Sequence, residues 1–244
     1  WRRSASPAGW VPRLLLLGVL GGAQGAIGWW MVHSGLSGEM VRVASYRLAT
    51  HLGLAFAILG LIAWQVLALS RSEAALLRAR RAGEGKLFSM TTGLMHLAFV
   101  QILLGALVAG IDAGRMYTGW PTMGGEWIPA EIWDAALGWR NFFENPALVQ
   151  FIHRMVAYLL AIFAVVVFLR ARRSPHPVTR GAYAAMLVAL AVQVFLGIMN
   201  VLHASPLALA LAHQIGAVAL FTLILRARHH ARYPIETSVR GTVR

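Results

Sequence analysis

Residues 146–169, PALVQFIHRMVAYLLAIFAVVVFL, decide the fold class. They carry one permanently charged side chain, Arg154, next to one histidine, His153. A helix rises about 1.5 Å per residue, so this stretch crosses the roughly 30 Å of bilayer hydrocarbon, where only a helix or a closed barrel satisfies its own backbone. On either side of it, stretches of the same kind occupy 11–33, 46–69, 87–110, 182–203 and 206–225. The composition agrees: the 244 residues are 58% hydrophobic and 13% charged, against about 25% charged in an ordinary globular domain. Mean hydropathy is +0.63. These values exclude a soluble or disordered domain and predict an all-α, polytopic helical membrane protein with six transmembrane helices.

The chain holds 22 Lys and Arg against 9 Asp and Glu, a net charge of +13. Threading the spans back and forth leaves only Arg42, Arg47, Arg115, Arg140 and Arg154 on one side, and every other Lys and Arg on the opposite side. Positive residues stay inside, which predicts a multi-pass protein of the cell inner membrane with both termini of the chain cytoplasmic. The basic excess is then a topology signal, and no nucleic-acid partner is expected. Arg2, Arg3 and Arg13 ahead of an apolar run imitate a secretory signal, but that run continues through Trp30 and five more spans follow. With no cysteine in the chain, disulfides and thiolate metal sites are excluded.

Residues 111–145 form a long outer loop with Tyr117, Trp120, Trp127, Trp133, Trp139, Phe142 and Phe143 interspersed with Asp112, Glu126, Glu131, Asp134 and Glu144. Amphipathic aromatics favour the headgroup level, so interfacial anchoring is the plainer reading and a lid over an outward-facing pocket the functional one.

An internal repeat organises the spans. Gln24 and Gly28, Gln101 and Gly105, and Gln193 and Gly197 recur at the same spacing, and the span after each pair carries a histidine near its outer end: His51, His153 and His213. The repeated unit is a hairpin, used three times. Helix packing explains a Gln with a small residue one turn on, and the small-residue pairs Gly18 with Gly22 and Gly21 with Gly25 mark a contact face in the first span. Two hairpins make a four-helix half, so three leave one half a hairpin short, which suggests a further hairpin before Trp1.

Intramembrane ionisable residues tend to mark function. At helical rise His51, His153 and His213 all lie about 8 to 11 Å below the outer boundary, one layer of imidazoles. Zinc and copper usually recruit carboxylates, thiolates or a tight histidine cluster, whereas iron in a porphyrin needs one imidazole from each of two facing helices. His153 and His213 belong to consecutive hairpins of the complete half. Arg154 adjoins His153 and Arg47 lies one turn outward of His51; both suit heme propionates, or alternatively snorkel to the interface. His33 and His203 are unremarkable boundary residues, His96 reads as a packing residue, and His176, His229 and His230 read as cytoplasmic and uninformative.

Tyr46-Arg47-Leu48-Ala49 with His51, Gln101 through Gly110 with Ala113-Gly114, and Asn141 with Glu144-Asn145 leading into Val149-Gln150-Phe151-Ile152-His153-Arg154 together resemble the heme A synthase family of cytochrome oxidase assembly. The likeness extends to Ala212-His213-Gln214 and to Gln24-Gly25 with Trp29 through Leu36. It implies an enzyme, a heme-dependent membrane oxidoreductase that converts the methyl group of heme O to the formyl group of heme A by successive hydroxylations. By the same resemblance, residues 1–86 are part of an N-terminal half that takes heme O as substrate through His51 and Arg47. Residues 87–230 are a four-helix half holding heme b through His153 and His213 as axial ligands, with Arg154 beside them, and 231–244 are a cytoplasmic tail. Partners implied are the lipid bilayer, heme O synthase and an electron donor, and an exposed apolar face would favour a homo-oligomer. The family's first hairpin, with its glutamate beside a His-Arg pair, has no counterpart before Trp1, so no catalytic residue is assigned and weak catalysis by this chain alone is expected. The alternative from the residues is a non-catalytic bis-histidine heme b electron carrier; a transporter with structural histidines is a third reading.

Overall fold

The computed structural model describes residues 9–35 and 43–235, with the side chains of 34 and 35 left aside. Arg2, Arg3, Arg42, Arg240, Arg244 and Leu36 lie outside the described residues, as does the tail from 236. Regular structure among them is helical apart from a lone bridge between Met123 and Glu126. In chain order the helices are α1 (Trp10–Gly35), α2 (Ser45–Leu69), α3 (Glu73–Arg81), α4 (Gly85–Gly110), α5 (Asn141–Glu144), α6 (Pro146–Ala171), α7 (Pro177–Leu202) and α8 (Leu207–Arg232). Six are long and apolar enough to cross a membrane, with window hydropathies from 1.5 to 2.3. The chain is a polytopic helical membrane protein.

The expected spans and the observed helices agree in number and, on the outer side, in boundary. On the inner side α7 and α8 run further than expected. α7 starts at Pro177, ahead of 182, because Thr179 and Tyr183 are buried polar residues with partners: Tyr183 Oη meets Thr91 Oγ1 at 2.5 Å. α8 runs on to Arg232, past 225, because its cations lie along the bundle instead of leaving it. The Arg228 guanidinium sits over Trp64 at 4.8 Å and Phe88 at 4.2 Å, and its Nε donates to Thr92 Oγ1. Cations near a helix C-terminus also complement its dipole. α3, inside what reads as a plain loop, starts at Ser72, whose hydroxyl accepts from Ala75 N, and ends on Arg78, Arg80 and Arg81. His229 and His230 are accordingly buried in α8, and His229 packs against Trp64 and Tyr233.

Four helices close a ring in the order α4, α6, α7, α8 and back to α4, so α6 and α8 stand diagonally opposite. Their common core is apolar and set on the inner side, with Leu94, Leu160, Ala164, Met186, Leu190, Leu220 and Ile224 facing one another. α2 lies against α4 and α8, and α1 lies against α2. Gly53 allows the first of these contacts: a Cβ there would stand 2.7 Å from Leu103 Cδ2. No residue in the most apolar window of α1 is buried.

Candidate functional site

Each of the three long-range histidines sits in a seat built by the preceding long helix. Gln101 of α4 donates from Nε2 to the backbone carbonyl of His153 at 3.0 Å, and the same amide nitrogen lies 3.1 and 3.2 Å from the two ring nitrogens. One atom equidistant from both nitrogens cannot lie in the ring plane without overlapping Cε1, so the amide lies over the imidazole face. Gly105, one turn on, leaves the notch that receives the ring edge: a Cβ there would be 3.2 Å from His153 Cε1. Gln193 and Gly197 of α7 repeat the seat for His213, with 2.8 Å to the carbonyl and 3.1 Å from the imagined Cβ to Cε1. Gln24 and Gly28 of α1 repeat it for His51, at 3.1 Å and 3.0 Å.

The Gln and Gly pair is thus a close-packing device with a particular object, the next helix's histidine. Its spacing is plain in the sequence, but spacing alone does not reveal what the pair grips. Held by face and backbone, the imidazoles of His51 and His153 keep their in-plane lone pairs for another partner. His213 Nδ1 is buried and unpartnered. α6 and α8 are diagonal in the ring, so His153 and His213 stand on opposite helices of it. The pair can therefore offer one nitrogen from each of two helices to a group lying between them. Among the described residues no three His, Asp or Glu side chains converge as a multidentate metal cluster would require. His51 occupies its own seat between α1 and α2.

The arginines differ from one another. Arg47 stacks over Trp30 at 4.8 Å and Tyr46 at 5.7 Å, and its Nε and Nη1 are buried without hydrogen-bond partners among the described residues. Arg154 is buried and ties down the outer loop: Nη1 donates to the carbonyls of Gly119 and Thr122, and Nη2 to that of Tyr117, leaving Nε unpartnered. Gln150, one turn earlier, donates to the same Tyr117 carbonyl.

The loop over this end is ordered by two buried asparagines absent from the expected set. Asn141 donates to the carbonyls of Asp134 and Gly138 and accepts from Asp134 N, and Asn145 donates to Glu131 O and to Asn141 Oδ1. Asn145 also caps α6, accepting from Ala147 N and Leu148 N ahead of Pro146 at the first turn. Tyr117 Oη donates to Glu131 at 2.6 Å. Partial burial and that carboxylate push the Tyr117 hydroxyl up to about 12, and the same bond holds Glu131 below the usual carboxylate range. Trp127, Trp133 and Trp139 stay exposed on the loop's surface, as interfacial anchors would.

The remaining histidines separate from the site. His33 is exposed and stacks on Trp29 at 4.9 Å, and His203 is exposed and bonded to Met199 O of its own helix. His96 is not the packing residue its mid-span position suggests: it faces outward and its Nδ1 donates to Thr92 O four residues back.

Fold and seats together define a polytopic membrane protein of repeated helical hairpins, each presenting one histidine at a common depth. A family model described as cytochrome oxidase assembly protein matches residues 1–225, and the chain belongs to that family. It is 94% identical over 238 residues to a protein named heme A synthase of Paracoccus denitrificans, covering 98% of this chain and 62% of that protein. It is 60% identical over 242 residues to the heme A synthase of Roseobacter denitrificans, covering 98% and 63%, and 61% identical over 237 residues to that of Dinoroseobacter shibae, covering 97% and 62%. The chain thus spans rather less than two thirds of the length of these curated relatives.

Proposed function

We propose that this chain is the heme-binding part of a heme A synthase, an inner-membrane oxidoreductase that converts the methyl group of heme O to the formyl group of heme A by successive hydroxylations. The observation that carries the proposal is the pair of seats on diagonal helices, which holds His153 and His213 with ring lone pairs unused. The residues fit a heme b in the four-helix half. His153 and His213 would hold it through their imidazoles, the apolar residues two turns inward, Leu160 and Leu220, would supply a floor, and Arg154 Nε would remain for a propionate at the outer edge. Held by two imidazoles, a heme bound there would supply electron transfer.

His51 and Arg47 bind the substrate heme O in the N-terminal half. The unpartnered Nε and Nη1 of Arg47 are buried donors suited to a carboxylate, and the Trp30 ring behind them fixes the guanidinium plane. The loop held by Arg154, Asn141 and Asn145 screens the outer side of the heme b site from water. His51 and Arg47 act here by binding and orienting the substrate. Both termini face the cytoplasm, the heme sites lie toward the outer face, and a heme O synthase and an electron donor are the partners that this chemistry calls for.

The test is heme extraction from membranes that contain the protein and are supplied with heme O. A formyl-bearing product that disappears with His51→Ala supports the reading. Heme O retained as well by His51→Ala as by the native chain, beside an intact bis-histidine spectrum, would favour an electron carrier.

A further inference from the structure

The inner end of α8 is surrounded by cations of two kinds. Arg71, in the turn after α2, spends its guanidinium on the carbonyls of Tyr233, Pro234 and Ala75, and Arg180 of α7 donates to Ser174 O. Arg228 and Arg232, one turn apart on α8, are held differently. Arg228 Nε donates to Thr92 Oγ1, and its guanidinium lies over Trp64 of α2 at 4.8 Å and Phe88 of α4 at 4.2 Å. The Arg232 guanidinium lies over the same Phe88 ring at 5.1 Å. Among the described residues no carboxylate pairs with either arginine, and no hydrogen bond takes the Nη atoms of Arg228 or any guanidinium nitrogen of Arg232. None of these nitrogens is a buried orphan, so they reach the surface. Glu84, whose backbone N–H donates to Ala231 O, has its carboxylate engaged by Ser174 Oγ.

Two like charges fixed on one aromatic ring without a counter-charge repel each other, and they stand ready for an anion. Their depth decides which anion. Arg228 lies one turn, about 6 Å, inside the end of α8, where α2, α4 and α8 meet. Trp64, Phe88, Thr92 and Arg228 are all half-buried at that junction, and Leu61, one turn deeper than Trp64 on α2, is exposed apolar surface. A soluble anion would have to give up its water to reach this level, whereas a phospholipid carries its phosphate there and lays its acyl chains against Leu61. Basic pockets between transmembrane helices suit phosphorylated headgroups, and the guanidinium fork matches phosphate oxygens. We propose that Arg228 and Arg232 bind the phosphate of an anionic glycerophospholipid at the inner junction of α2, α4 and α8, with Thr92, Trp64 and Phe88 fixing the guanidiniums. The site is separate from the heme ligands, since Arg228 lies about 22 Å along α8 from His213. The bound lipid neutralises the arginine pair and ties α2 to the four-helix ring.

The test is native mass spectrometry of the full chain released from nanodiscs that contain equal amounts of phosphatidylglycerol and phosphatidylcholine. The native chain is expected to retain phosphatidylglycerol in preference to phosphatidylcholine, and Arg228→Gln and Arg232→Gln each to lower the retained phosphatidylglycerol by about fivefold. Arg172→Gln, at an exposed arginine closing the inner end of α6, is expected to retain as much as the native chain. Equal retention of the two lipids by the native chain overturns the proposal without any variant. An equal loss with Arg172→Gln also overturns it, because the preference would then be a general attraction to the basic inner end. Excess inorganic phosphate is expected to leave the lipid in place; displacement by it would make the site one for free phosphate and overturn the proposal. Should Arg228→Gln fail to fold, Arg232→Gln at the helix end decides alone, and an unchanged lipid fraction there overturns the proposal.

Discussion

Gly197 and Gly18 are both small residues in spans, yet they do different things. A Cβ at Gly197 would meet His213 Cε1 at 3.1 Å, whereas one at Gly18 meets nothing within 4 Å. Gly197→Ala should therefore tilt the imidazole or push α7 outward, an overpacking cost of about 1–3 kcal/mol, and lower the heme content of purified protein severalfold. Gly18→Ala should leave heme content unchanged and, if anything, favour the helix, since Ala exceeds Gly in helix propensity by about 1 kcal/mol. Pyridine hemochrome quantification of the two variants distinguishes a seat from a general small-residue contact. The histidines themselves were readable from the sequence because burial depth follows from position along a helix, and depth singled out His51, His153 and His213. The glutamine's role was not, because Gln followed by a small residue one turn on has the same pattern whether it grips a helix or a ring. The outward aim of His96 was hidden for a related reason, since position along a span fixes depth but not which face a neighbour covers.

Among the elements, the outer loop is held by few residues for its length. Asn141 is wholly buried and its amide links Asp134, Gly138 and Asn145. Asn141→Ala removes the partner of the Asp134 N–H and of the Asp134 and Gly138 carbonyls, at about 1 kcal/mol for each bond lost, and should release 111–145 to limited proteolysis while the six spans stay protected. The second tether depends on pH. Tyr117, whose hydroxyl is pushed up to about 12 in the folded loop from an ordinary 10.0, contributes stability that is present below about 10 and lost as pH rises through about 12. Glu131, held low, contributes stability that is present above its ordinary range and lost as pH falls through its lowered value. The difference in phenolate absorbance between the native protein and Tyr117→Phe should therefore titrate near 12; a midpoint near 10 would mean that the Tyr117–Glu131 bond does not form. The sequence showed the loop's length and aromatic content but not its order, because the order comes from side-chain to backbone bonds between residues far apart in the loop.

For the molecule as a whole, alternation of the spans and the placement of arginine are the basis of the proposed topology. The spans were readable because each is a nearly unbroken apolar run. The inner end of α8 was not, because Arg228 lies over Trp64 and Phe88 and so continues α8 where charge alone suggested a stop. Since the chain has no cysteine, single cysteines report sidedness without background. Arg78→Cys, on exposed α3, should resist a membrane-impermeant maleimide in spheroplasts, and Ala135→Cys, exposed on the outer loop, should react. The reverse pattern would invert the assignment of both heme sites to the outer face.

The central claim is that His153 and His213 jointly ligate one heme inside the four-helix ring. An oxidised-minus-reduced absorption spectrum with heme quantification, taken on the native chain, His153→Ala, His213→Ala and His51→Ala, tests it most directly. The account predicts a low-spin heme b in the native protein, at about one per chain, lost with either His153→Ala or His213→Ala and retained with His51→Ala. A native protein without heme, or a low-spin spectrum that survives both His153→Ala and His213→Ala, would contradict it.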